Sequence, residues 1–231
     1  MKIEYGPRES SGIDRPAPRE RIAGEHTEPR DMVNIGGVLN QPEGLLSLAQ
    51  ALKATATPAK SAELAKKILN TPEITLRSDL PSGNPPRGSD SLTNIVDTSE
   101  GKPALRSDYG TAPGGSVPLD KRMLNGMLEL HDKYGFSVRI SSIAGGSHSK
   151  NSFHYSGTAF DIDRINDIEV SKKDGLHDKV MAALKKLGAI EILGPGNANH
   201  DHHIHVAWSR ADGNDEPPNE QDQLAKYEDG Y

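Results

Sequence analysis

Cysteine is absent from the 231 residues of this chain, which excludes disulfides, thiolate nucleophiles and cysteine-type structural zinc. Any metal must be held by histidines and carboxylates, the donor set that suits a catalytic Zn²⁺. Aromatic residues reach only 4% and all hydrophobic residues 34%, against 23 Gly and 16 Pro. That balance implies long irregular stretches around a smaller compact part. A basic excess is missing too. The formal net charge is −6, and no Lys/Arg cluster marks a phosphate-tracking groove, so nucleic acid is not an expected partner. No run approaches the roughly 18 apolar residues of a spanning helix. The polar, Pro-rich stretch Met1 to Glu20 has no apolar core of a Sec signal peptide.

Residues 1–41 alternate charge, Pro and Gly without period and read as a disordered leader. Residues 42–70 read as a helical hairpin. Pro42 opens a pattern with Leu45, Leu46, Ala49 and Leu52 on one side, and Thr57-Pro58 starts a second helix carrying Ala62, Ala65, Ile68 and Leu69. Residues 71–117, rich in Gly, Pro, Ser and Asp, read as a linker or wrapping arm. From Pro118 the pattern tightens. Met123, Leu124, Met127, Leu128 and His131 mark one helix face that stops at Gly135, and Phe136, Val138 and Ile140 then alternate as a strand. Residues 157–163 form a second strand candidate. Leu176, Val180, Ala183, Leu184 and Leu187 make another helix, followed by an apolar strand, Ala189 to Leu193, and a last strand, His203 to Trp208. The expected fold of residues 118–208 is α+β, a small antiparallel sheet with flanking helices. Residues 209–231 read as an acidic tail.

Seven of the nine histidines lie between 148 and 205. In the segment from Ser152 to Asp163, strand alternation puts Ala159, Asp161 and Asp163 on one face, and Phe160 and Ile162 on the other. Gly157 permits the turn that brings His154 back beside that strand. In the last strand His203, His205 and Ala207 share a face while Ile204, Val206 and Trp208 bury theirs. If the two strands are neighbours, His154, Asp161 and His205 converge as three metal ligands, and His203 stands about 7 Å along the same face. Three ligands leave the fourth tetrahedral position to water, whose pKa zinc lowers to about 7. A neighbouring histidine can take the water proton and return it to the leaving amine. Each half of this pattern is common by chance; their joint occurrence in the compact part favours a metal site. His131 and His177 are assigned to surface or satisfied positions, and His148, in a Gly/Ser loop, is a candidate substrate contact.

At these residues the sequence resembles the zinc D-Ala-D-Ala carboxypeptidases and murein endopeptidases, a superfamily that includes the hedgehog signalling domain. The match is Ser152-x-His154-x-x-Gly157-x-Ala159-x-Asp161-Ile162, then His200-x-x-His203-x-His205-Val206. It spans roughly residues 118–208. The resemblance implies Zn²⁺ on His154, Asp161 and His205, His203 as base and oxyanion partner, and His200 as an additional active-site histidine. Ser152, His148 and Trp208 are the candidate substrate contacts. Where other members carry Glu or Asp three residues before the last ligand, this chain has His202. Many relatives also carry a Tyr-Arg-Ser segment whose Arg holds the substrate carboxylate. Here the region reads Arg139 to Gly146 with Arg139 displaced, which favours endopeptidase over carboxypeptidase action. The implied substrates are peptidoglycan stem peptides or cross-links. The alternative is a non-catalytic zinc-binding module of the same superfamily. With no Sec signal in the leader, the expected route to the wall or periplasm is non-Sec export, injection or lysis, with the N-terminal region engaging a specialised secretion or injection machine.

Overall fold

A computed structural model describes residues 58–171 and 175–215. The expected leader, the first helix of the hairpin and most of the acidic tail lie outside the described residues. Helix α1 covers 58–69. It docks through Leu64, Ala65 and Ile68, all buried, while Leu69 stays exposed, and the Ser61 hydroxyl donates to the Leu119 carbonyl at 2.9 Å.

The stretch expected to be a linker or wrapping arm builds part of the fold. It supplies strand β1 (Ile74–Leu76), helix α2 (Ser91–Ser99) and a two-stranded hairpin of β2 (Ala104–Leu105) and β3 (Ser116–Val117). Helix α2 begins at Asp90, whose side chain accepts from the Thr93 amide, satisfying a donor that the helix leaves unpaired. Its inward face holds Ser91, Asn94 and Thr98 beside Ile95. Polar contacts fix it: Asn94 donates to the Leu105 carbonyl at 3.0 Å and accepts from the Ala144 amide at 2.9 Å.

Helix α3 (Lys121–Asp132) follows, N-capped by Asp120. Then come β4 (Val138–Ser142), β5 (Ala159–Ile165), β6 (Ile168–Glu169), α4 (Leu176–Lys186), β7 (Glu191–Leu193) and β8 (Ile204–Ala207). The sheet order is β1-β4-β5-β8-β7, with β6 beside β5. All pairings are antiparallel except β1 with β4. The fold is therefore α+β with a mixed sheet: every strand pairing within 118–208 is antiparallel, and the one parallel edge strand comes from the stretch read as a linker or wrapping arm. Among the described residues no helix is long and apolar enough to cross a membrane.

Alternation along β5 and β8 gives the sheet two unlike faces. Ile140, Phe160, Ile162, Ile204 and Val206 belong to the same buried cluster as Met123, Leu124 and Met127 of α3 and Val180 and Leu184 of α4. Each such side chain contributes about 1.5–3 kcal/mol on burial. This apolar face anchors the sheet and leaves the opposite face to polar residues.

Candidate metal centre

The register places two of the expected ligands directly opposite each other: Asp161 of β5 pairs with His205 of β8. His154 arrives by a different route. Residues Phe153–Ser156 form one 3-10 turn, closed by Gly157 in the left-handed region at φ 68°. There the Gly157 amide donates to the His154 carbonyl at 3.0 Å. A Cβ at Gly157 would run into the Pro118 carbonyl oxygen. Only glycine fits, and the tight reversal lays His154 against the start of β5.

Three atoms then meet. His154 Nε2 is 3.2 Å from Asp161 Oδ1 and 3.0 Å from His205 Nδ1, and His205 Nδ1 is 3.0 Å from Asp161 Oδ1. All three residues are buried, His154 completely. The outer nitrogen of each imidazole is already committed. His154 Nδ1 donates to the Ile143 carbonyl at 2.5 Å, and His205 Nε2 donates to Glu191 Oε1 at 3.1 Å. Both partners are acceptors, so the inner nitrogens of the neutral rings present lone pairs. Two lone pairs and a carboxylate oxygen packed this closely repel one another unless a cation or proton lies among them.

Burial opposes protonation of His205, but hydrogen bonds to Asp161 and Glu191, together with their charges, raise it to about 9. Burial likewise opposes ionisation of Asp161, yet His154 and His205 hold its carboxyl well below the usual range. Tetrahedral Zn²⁺ with bonds of about 2.0–2.2 Å needs donors about 3.3–3.5 Å apart, and these edges are only a few tenths shorter. The donor set fits.

A second set overlaps the first. His148, His154 and Asp161 can hold a metal ion, offering ligand atoms within 4.8 Å of one another. The His148 ring, however, stacks on His154 with centroids 3.8 Å apart and planes only 14° from parallel. Imidazole lone pairs lie in the ring plane, so two stacked rings point past a shared ion. His148 Nε2 is also 2.8 Å from the Gly145 carbonyl and 3.2 Å from the Ser142 hydroxyl. The tighter triangle with His205 is the better donor set.

A cleft of about 390 Å³ opens beside Asp161, lined among others by His148, His202, His203, Arg77 and Arg139. His203 is part-buried; burial, helped by His200, His202 and His205, lowers it to about 4 against the pull of Asp161. The His200 ring lies 4.8 Å from His203 and 6.2 Å from His205, and its Nδ1 meets the Ala198 carbonyl at 2.6 Å. Arg139, displaced in sequence, nonetheless faces the cleft. It forks onto Asp163 at 2.7 and 2.8 Å, and Arg77, the residue after β1, joins the same carboxylate at 3.2 Å while also pairing with Asp79.

Two of the expected substrate contacts are not among the residues that line this cleft. Trp208 is 2% exposed, lies 5.8 Å from Phe160 in the core and donates to the Leu187 carbonyl at 3.4 Å, on the face away from the cleft. Ser152 caps the 3-10 turn by accepting from the His154 amide at 3.3 Å and lines a separate pocket with Arg210. His177, expected at a surface or satisfied position, is buried with Nδ1 unpartnered, and His131 Nδ1 is likewise buried without a partner. Sequence reasoning missed Glu191 and Arg77. A lone charge inside the apolar run 189–193 was the available signal for the first, whereas Arg77 sat in a segment without periodicity. No family model, no curated protein and no solved structure matches the chain.

Proposed function

We propose that the chain is a zinc metallopeptidase hydrolysing peptide bonds in bacterial peptidoglycan stem peptides or cross-links, with endopeptidase action favoured over D,D-carboxypeptidase action. The observation that carries this reading is the buried triangle of His154, Asp161 and His205, with edges of 3.0–3.2 Å, beside a cleft that His203 lines. Zinc, when bound there, supplies Lewis acidity towards a scissile carbonyl. His203 accepts a proton from the attacking water and delivers it to the leaving amine. The resemblance of the two histidine motifs supplies the substrate class. Both guanidiniums of the cleft are matched by Asp163 and Asp79, so neither is offered to a terminal carboxylate. That supports internal cleavage.

The test is incubation of purified sacculi with zinc-loaded protein and with His203→Ala. New amine and carboxyl termini in the muropeptides of the wild type alone are expected. Identical muropeptide profiles, with zinc bound to both proteins, refute the proposal. A second reading is the non-catalytic zinc-binding module, in which the same ligands stabilise the fold or bind a partner. Stoichiometric zinc with inert sacculi selects it.

A further inference from the structure

Glu191 opens β7 within Ala189-Ile190-Glu191-Ile192-Leu193, a run otherwise made of apolar side chains. Its side chain is 21% exposed, and a carboxylate in such surroundings has a desolvation cost that needs a partner. The partner is across the ladder. Glu191 is in register with Ala207 and Leu193 with His205, so the Glu191 side chain reaches diagonally along the sheet face to His205 Nε2, at 3.1 Å.

We propose that Glu191 is the positioning residue for the His205 ligand, a role that rests on the zinc reading above. The two nitrogens of one imidazole point in different directions, so Glu191 stands on the far side of His205 from the triangle and cannot itself ligate. What it does is hold the ring. By accepting the Nε2 proton it fixes the tautomer with the lone pair on Nδ1, and it fixes the ring rotation that aims this lone pair at His154 Nε2 and Asp161 Oδ1. For His154 the same office falls to the Ile143 backbone carbonyl, which no side-chain substitution removes. Without Glu191 a neutral His205 is free to carry its proton on Nδ1, and the third corner of the triangle closes.

The experiment compares wild type, Glu191→Gln and Glu191→Ala by zinc competition against a chromophoric chelator. Visible absorption of the Co²⁺-substituted proteins and the unfolding midpoint of the metal-free proteins are recorded alongside. We expect zinc affinity to fall about 10–100-fold in Glu191→Ala, with altered Co²⁺ bands and a loss of affinity larger than any drop in the metal-free midpoint accounts for. Glu191→Gln retains an acceptor and recovers most of the affinity. Unchanged affinity in Glu191→Ala while the wild type binds one zinc overturns this inference alone. So does a loss that tracks a lowered metal-free midpoint equally in both variants. Failure of the wild type to bind zinc overturns this inference and the metallopeptidase reading together.

Discussion

Gly157→Ala tests how the chain delivers His154 to the sheet. Gly157 sits at φ 68°, and a Cβ there meets the Pro118 carbonyl oxygen, with Val117 also close. The same residue accepts from the Asp120 amide at 2.8 Å, tying the turn to the start of α3. Gly135 provides an internal reference: its φ is 70°, and nothing lies within 4 Å of a Cβ built on it. Alanine at Gly135 therefore feels the left-handed backbone alone, at about 1–2 kcal/mol. Alanine at Gly157 feels that cost plus forced movement of packed backbone, a further 1–3 kcal/mol or about that. In a folded part of this size each kcal/mol lowers Tm by about 2–4 °C. We expect losses of about 2–8 °C for Gly135→Ala and about 4–20 °C for Gly157→Ala. Thermal unfolding followed by circular dichroism reads both, and urea midpoints check the ranking. Only Gly157→Ala should also weaken zinc binding, because only that turn carries a proposed ligand, His154. Equal losses in the two variants, with zinc affinity intact in both, refute the argument.

Asp161→Asn keeps the size of the side chain but removes the anion from the triangle, so zinc carried through gel filtration should fall from one equivalent to near zero, measured by elemental analysis. Asp163→Asn breaks the fork that joins Arg139 and Arg77; with those arginines 31% and 24% exposed, the cost is about 1–3 kcal/mol in urea unfolding, below that of a fully buried pair. Trp208→Phe should leave KM and kcat on any cleaved peptide unchanged while lowering the unfolding midpoint, since Trp208 packs on the face away from the cleft; a shift in KM restores it as a substrate contact.

Much of the site was legible because strands impose a period of two. Once Asp161 and His205 were each placed on the polar face of their strands, a single pairing brought them together, and the observed register is that pairing. Gly157 completed the set, since a glycine three residues after His154 signals a reversal. The same alternation put Trp208 on the buried side with Ile204 and Val206, and the core packing follows it. Its candidacy as a substrate contact ran against its own strand. The segment 71–117 was illegible for a physical reason. Helix α2 buries Ser91, Asn94, Thr98 and Ser99 around a single apolar side chain, Ile95, so polar residues occupy the positions where an apolar stripe would be read. Strand β1 is three residues long, too short to show alternation, and its parallel pairing with β4 spans more than 60 positions of sequence. Glu191 escaped notice because its partner is set by register, which single-strand patterning does not specify.

The most direct test of the central claim is X-ray absorption at the zinc edge on protein reconstituted with one equivalent of metal, beside His154→Ala, Asp161→Ala and His205→Ala. The account predicts two imidazole nitrogens and a carboxylate oxygen around zinc in the wild type, and loss of tight binding in each variant. A wild type that holds no zinc after desalting, or variants that keep it in the same coordination, would contradict it.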